Sequence, residues 1–253
     1  MTSLEAIREL EELAMNALPA LESERYDGWI LRAAGGYTGR ANSAAPLGPG
    51  ELRPADKISY TENWYRSRRL TPMIRLTPAA QPSNLDLLLD ERGYSLRDEG
   101  VSVQGCPLDG HDLPLDAVEI AEGPVPDPWL ATLAGFQPRV EQHLEEVRRL
   151  FSRLPATTAF ALIRHEATPA AIGRAVLEGG RVGLFDVFTR PDRRGRGLAT
   201  DITVALLGWG AGNGAARAYL QVVPSNDAAN RLYRRLGFTE VYRYWYRVAP
   251  GEG

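Results

Sequence analysis

Asp186-Val187-Phe188-Thr189-Arg190-Pro191-Asp192-Arg193-Arg194-Gly195-Arg196-Gly197-Leu198-Ala199 decides how this chain is read. Its upstream part, within Arg181 to Thr189, is an apolar strand pattern. Downstream, Ile202, Ala205, Leu206 and Trp209 recur at helical spacing. The segment therefore reads as strand, glycine loop and helix start. Glycines let the backbone turn and let a ligand approach with no Cβ in the way. The first amides of a helix have no partner inside it, and the helix dipole adds positive potential there. Arg190, Arg193, Arg194 and Arg196 bring charge suited to phosphate oxygens. The pattern predicts a seat for a diphosphate.

Two kinds of diphosphate loop are excluded by single residues. A dinucleotide loop needs a third glycine, where Thr200 stands. It also needs an acid at the end of the next strand, which reads Tyr219-Leu220-Gln221-Val222-Val223. A nucleoside triphosphatase loop needs Gly-Lys-Ser or Gly-Lys-Thr. Lys57 is the only lysine in the chain, far from this loop.

The pattern Arg194-x-x-Gly197-x-Ala199 resembles the Arg/Gln-x-x-Gly-x-Gly/Ala loop of the GNAT acyltransferase superfamily. A second stretch, Asn226-Asp227-Ala228-Ala229-Asn230-Arg231-Leu232-Tyr233-Arg234-Arg235-Leu236-Gly237-Phe238, is similar to that superfamily's Asn-x-x-Ala-x-x-Leu-Tyr-x-x-x-Gly-Phe signature. It begins 27 residues beyond Ala199, with one helix and one strand pattern between. The resemblance covers roughly Glu119 to Val248. It implies an α/β (α+β) fold with a mixed, mostly antiparallel central sheet flanked by helices. It implies acetyl-CoA as co-substrate and no metal. Arg194, Gly195, Arg196, Gly197, Leu198 and Ala199 would hold the pyrophosphate, and the backbone of Val187, Phe188 and Thr189 the pantetheine arm. Tyr233 would donate a proton to the departing thiolate. Asn226 would cap its helix and also reach the cofactor.

An attacking amine must lose a proton. An aliphatic amine near pKa 10.4 is mostly protonated at neutral pH, so the site calls for a base or a water chain. Asp186, between Phe185 and Val187, is the candidate, with Glu178 a weaker one. His143 and His165 read as surface residues, and no histidine or cysteine cluster has metal-ligand spacing.

The first half carries the same order of elements. Helical spacing is expected over Leu4 to Leu18, Ala55 to Arg69 and Asn84 to Glu91, and strands over Tyr26 to Ala33, Ala41 to Leu47, Met73 to Leu76 and Tyr94 to Gln104. Pro82-Ser83-Asn84 opens a helix ending in Gly93-Tyr94, as Pro224-Ser225-Asn226 opens one ending in Gly237-Phe238. Leu89 stands where Tyr233 does in the second copy. The loop Leu47-Gly48-Pro49-Gly50-Glu51-Leu52-Arg53-Pro54 lacks the phosphate pattern, and its prolines remove amide donors. Two tandem units are expected: a degenerate one over 1–106, a linker at 107–116 and a catalytic one over 117–253. In the second half strands are expected at Ala117 to Ala121, Thr157 to Arg164, Ala170 to Leu177, Arg181 to Thr189, Ala216 to Val223 and Phe238 to Val248. Helices are expected at Asp127 to Ala134, Arg139 to Leu154, Leu198 to Trp209 and Asn226 to Leu236.

Net charge is -3, so no global basic field points to nucleic acid. Cys106 is the only cysteine, which fits a reducing cytoplasm. Acidic residues interrupt the first apolar positions, so no export signal is read there. No apolar run approaches the roughly 20 residues that cross a bilayer. The expectation is a cytoplasmic N-acyltransferase acting on a small-molecule or peptide amine, as a monomer (an internal pseudo-dimer) or a homodimer, away from nucleic acid and membrane. The alternative is a regulator that binds acyl-CoA without turnover.

Overall fold

The structure is a computed structural model that describes residues 3–108 and 118–251. The chain order is α1 (Leu4–Asn16), β1 (Glu22–Tyr26), β2 (Trp29–Ala33), α2 (Pro54–Arg66), β3 (Met73–Leu76), α3 (Leu85–Glu91), β4 (Ser95–Leu96), β5 (Val101–Pro107), β6 (Glu119–Glu122), α4 (Asp127–Phe136), α5 (Pro138–Gln142), α6 (Leu144–Phe151), β7 (Thr158–His165), β8 (Thr168–Glu178), β9 (Arg181–Thr189), α7 (Leu198–Gly212), β10 (Arg217–Val222), α8 (Asp227–Arg235) and β11 (Thr239–Val248). This is the α+β class expected, and the chain divides into two compact units.

The units exchange chain. The first comprises Met1–Ser102, Val223–Ser225 and Val241–Gly253, and the second Val103–Val222 and Asn226–Glu240. The boundaries read from sequence had kept the last strand with the second half. Pairing explains the difference: β11 runs antiparallel to β3, Trp245 opposite Leu76 and Val248 opposite Met73, and also to β4. Tyr242 donates its hydroxyl hydrogen to Glu11 Oε1 at 2.5 Å, and Arg75 reaches the same oxygen at 2.7 Å. Pro107 ends β5, and most of the expected linker lies outside the described residues.

In the first unit Ser3 caps α1 through Ala6 N–H, and buried Arg32 closes its other end by donating to Met15 O at 3.0 Å. The strand expected over Tyr26 to Ala33 is half of a hairpin: Asp27 and Gly28, both at positive φ, turn β1 into β2. Ala41 to Leu47 is not a strand. It makes only isolated bridges, Ile30 to Ala45 and Ala44 to Ile74, after a 3-10 turn at Gly39–Ala41. The strand expected over Tyr94 to Gln104 is broken by Gly100 at φ +81°.

In the second unit the strand order is β5-β10-β9-β8-β7-β6. All neighbours whose register is described are antiparallel except β9 with β10, which is parallel. The helix expected over Arg139 to Leu154 divides at His143 into α5 and α6. Alanines and small aliphatics of β7, β8 and β9 pack with Ile202, Leu206 and Leu207 of α7. Gly173 permits that approach, since a Cβ there would lie 2.4 Å from Ile202 Cγ2. Trp129 and Phe160 meet edge to face at 5.0 Å on the opposite side of the sheet.

The two units repeat a local design. Tyr94 N–H donates to Leu89 O at 2.9 Å after Gly93, and Phe238 N–H to Tyr233 O at 3.0 Å after Gly237. Both glycines have φ +85°, the left-handed stop that favours glycine.

Candidate active site

The site is assembled where β9 leaves β10. Their parallel pairing runs from Arg217 opposite Arg181 to Leu220 opposite Leu184 and goes no further. On its other edge β9 stays paired with β8 up to Thr189, opposite Ala171. From Phe185 to Thr189 one strand edge is therefore open.

At the same point the strand carries a bulge. Ile172 lies opposite Phe188 and Arg174 opposite Phe185, so Gly173 faces two residues, Asp186 and Val187. Asp186 has φ +52°, a region that L residues other than Asn and Asp seldom enter.

Beyond the open edge the chain makes a 3-10 turn at Pro191–Arg193 and enters α7 with Gly197 as its N-cap. Thr200 and Asp201 donate to Gly197 O at 2.8 and 3.1 Å. Among the described residues no backbone acceptor meets the amides of Gly195, Arg196, Gly197, Leu198 or Ala199. Gly195 and Gly197 have φ +73° and +85°, and a Cβ on either would have no atom within 4 Å. Glycine is needed here for the backbone angle, and the space beside it is open.

The four arginines divide. Arg190 holds Asp192 with two bonds, 2.7 and 3.1 Å, and keeps that carboxyl below its usual range. Arg193 Nε lies 3.5 Å from Asp192 Oδ2. Arg194 and Arg196 are exposed and have no ion-pair partner among the described residues. Two of the four, not all, are thus available to an incoming phosphate.

Tyr233 projects from α8 into the hydrophobic cluster that also holds Val187 and Leu198, with its ring 5.8 Å from Phe238. The residue is 9% exposed, and burial pushes its hydroxyl up to about 12. Among the described residues that hydroxyl has no hydrogen-bond partner. Asn226 caps α8, accepting from Ala229 N–H at 3.2 Å, so its carboxamide oxygen is engaged by its own helix. Asp186 faces the guanidinium of Arg174, Nε to Oδ2 2.8 Å, in an ion pair of 0% and 10% exposed side chains. That oxygen is turned to an arginine rather than to an incoming amine.

The corresponding turn of the first unit is filled by the chain itself. Glu51 and Leu52 donate their amides to the Asp27 carboxylate at 2.8 and 3.0 Å, and those bonds hold Asp27 below its ordinary range. Lys57 lies 3.2 Å from Asp27 Oδ2. In this turn the amides are met by an internal anion.

A family model described as "Probable histone acetyltransferase Rv0428c C-terminal" matches residues 4–247. The chain belongs to that family. It is a GNAT-superfamily protein of the N-acetyltransferase class. It is 28% identical over 251 residues to the uncharacterized N-acetyltransferase YobR of Bacillus subtilis, covering 97% of this chain and 99% of that protein. It is 32% identical over 259 residues to the probable histone acetyltransferase Rv0428c of Mycobacterium tuberculosis, covering 98% and 76%. Its fold matches a GCN5-related N-acetyltransferase from Kribbella flavida at TM-score 0.67 and 18% identity, covering 96% and 95% of the two chains. It also matches a tandem GNAT protein from the clavulanic acid biosynthesis pathway at TM-score 0.61 and 12% identity, covering 96% and 89%.

The GNAT fold thus brings the loop, the end of β9 and Tyr233 into one unit. It also supplies residues that motif reading passed over. Gln104 donates to Asn230 Oδ1 at 3.0 Å and Asn230 to Asn226 O at 3.0 Å, tying α8 to β5. Arg174 was visible only as a lone charge inside the apolar run Ala170 to Leu177. Among the described residues no group of His, Cys, Asp or Glu is placed to hold a metal, and no helix is long and apolar enough to cross a membrane.

Proposed function

We propose that the second unit binds acetyl-CoA and transfers its acetyl group to a primary amine by direct attack. The observation that carries this reading is the run of five amides, Gly195 to Ala199, that meet no backbone acceptor among the described residues, beside the open edge of β9. The pyrophosphate lies against those amides and the α7 N-terminus, with Arg194 and Arg196 adding charge-assisted bonds. The pantetheine amides pair with the open edge as a short extra strand would. The thioester then comes to the bulge, near Tyr233.

In the transfer the amine nitrogen bonds to the carbonyl carbon, the C–S bond breaks, the nitrogen gives up its extra proton and sulfur gains one. A free thiol ionises near pKa 8.5, while the Tyr233 hydroxyl is pushed to about 12. A finished proton transfer from tyrosine to thiolate would therefore run uphill. Tyr233 instead donates a hydrogen bond that strengthens as charge develops on sulfur, and passes its proton on only as it regains one from water.

The acceptor class is a small-molecule, peptide or protein amine. The Mycobacterium tuberculosis relative is named a probable histone acetyltransferase, which makes lysine peptides the first to try. The test follows thiol release from acetyl-CoA with a panel of amines. Amine-dependent release supports transfer. Binding of acetyl-CoA with no release by any amine would favour a non-catalytic regulator.

A further inference from the structure

Arg174 is a charged residue wholly buried in an apolar strand, outside both sequence motifs. Its guanidinium lies 2.8 Å from Asp186 Oδ2 and 4.8 Å from the ring of Phe185, with Phe151 of α6 at 5.2 Å. Phe185 and Asp186 are consecutive, so in a regular strand they would stand on opposite faces. Here both meet the same guanidinium because the bulge turns Asp186 back.

The bulge also decides which peptide groups enter the open edge. Before it, even-numbered residues face β10, as Gly180 O shows by accepting from Ala216 N–H at 2.9 Å. Unbroken alternation would send Asp186 and Phe188 that way. After the bulge, Arg190 N–H instead goes to Ala170 of β8 at 2.9 Å, so Val187 and Thr189 turn to the open edge.

We propose that Arg174 is a positioning residue: it clamps Phe185 and Asp186 together, fixes the bulge, and so aims the Val187 N–H at the carbonyl oxygen of the bound thioester. Asp186 serves the clamp rather than taking the amine's proton. The proposal rests on the acyl-transfer reading above. A tetrahedral oxyanion needs preorganised N–H donors, and loss of one costs about 10²–10³ in kcat.

The test uses the full chain with Arg174→Gln, Arg174→Lys, Asp186→Asn, Asp186→Gly and the double variant Arg174→Gln/Asp186→Asn. Each single change is expected to lower kcat about 10- to 100-fold while the Kd for CoA stays within about twofold. The double variant falls no further than the worse single one, because both remove one clamp. Asp186→Asn keeps the acidic limb of the kcat profile. Exchange of the Val187 amide with solvent deuterium quickens in each variant, a readout that needs no turnover. Unchanged kcat in Arg174→Gln and Asp186→Asn overturns the proposal, and so does loss of the acidic limb in Asp186→Asn, which would make that carboxylate the base. If Arg174→Gln fails to fold, Asp186→Gly decides the question, since glycine accepts the positive φ without the ion pair. A wild-type protein that binds neither CoA nor acetyl-CoA sinks the acyl-transfer reading instead, and the exchange of Val187 then tests the clamp alone.

Discussion

Replacing Gly197 by alanine and, separately, by tryptophan separates the backbone role of this residue from the space beside it. At φ +85° an L side chain meets its own backbone, at a cost of about 1–2 kcal/mol. Among the described residues no atom beyond the two chain neighbours lies within 4 Å of the added Cβ, so no clash with the fold is added at that atom. Alanine and tryptophan should therefore destabilise to a similar extent, each lowering Tm by roughly 2–8 °C. Their effect on the ligand should differ. A methyl group at the loop leaves most amides reachable, and CoA should bind within about tenfold of wild type. An indole fills the volume that the pyrophosphate needs, and CoA should bind at least about a hundredfold more weakly, or roughly 2.7 kcal/mol. Thermal melts of the free proteins and calorimetric titration with CoA read the two effects separately. The reasoning is refuted if tryptophan costs several kcal/mol more stability than alanine, which would mean the space is not open. It is equally refuted if the tryptophan variant binds CoA as wild type does.

Tyr233→Phe should leave CoA affinity within about twofold and slow transfer by about 10²-fold or more; equal turnover of the two proteins would remove the tyrosine from the chemistry. The wild-type hydroxyl, pushed up to about 12, stays protonated up to about pH 10, so below that pH the kcat profiles of wild type and Tyr233→Phe should share one shape; an alkaline fall there that Tyr233→Phe abolishes would contradict this. Burial pushes the Cys106 thiol up to about 11 from 9.0. A group raised in the fold gives stability that is fully present below its unfolded value and is lost as pH rises through the folded one. Denaturant melts should therefore show stability falling between pH 9 and 11, by roughly a few kcal/mol at most from this group, and Cys106→Ala should flatten the slope; an equal slope in both proteins would contradict the assignment.

The sequence carried the second unit further than the first. Arg194-x-x-Gly197-x-Ala199 and the stretch Asn226 to Phe238 are short, local and tied to backbone geometry, so α7, α8 and their caps were legible. Three things were not. The Asp27-Gly28 hairpin depends on a positive-φ turn inside an otherwise apolar run, which hydrophobic pattern alone reads as one strand. The crossing of β11 into the first unit depends on distant partners, Glu11 and Arg75, that no local window contains. The role of Asp186 depends on Arg174, twelve positions away, meeting it through a register shift. Degeneracy of the first half is an expectation from missing residues, and in the structure the Asp27 carboxylate sits on the amides of Glu51 and Leu52.

The most direct test of the account is calorimetric titration of the wild-type chain with CoA and with acetyl-CoA. One open amide run and one filled by Asp27 predict saturable binding of each at one site per chain, weakened by added salt because the ligand is held largely through phosphate. No heat with either ligand, or two equal sites per chain, would contradict it.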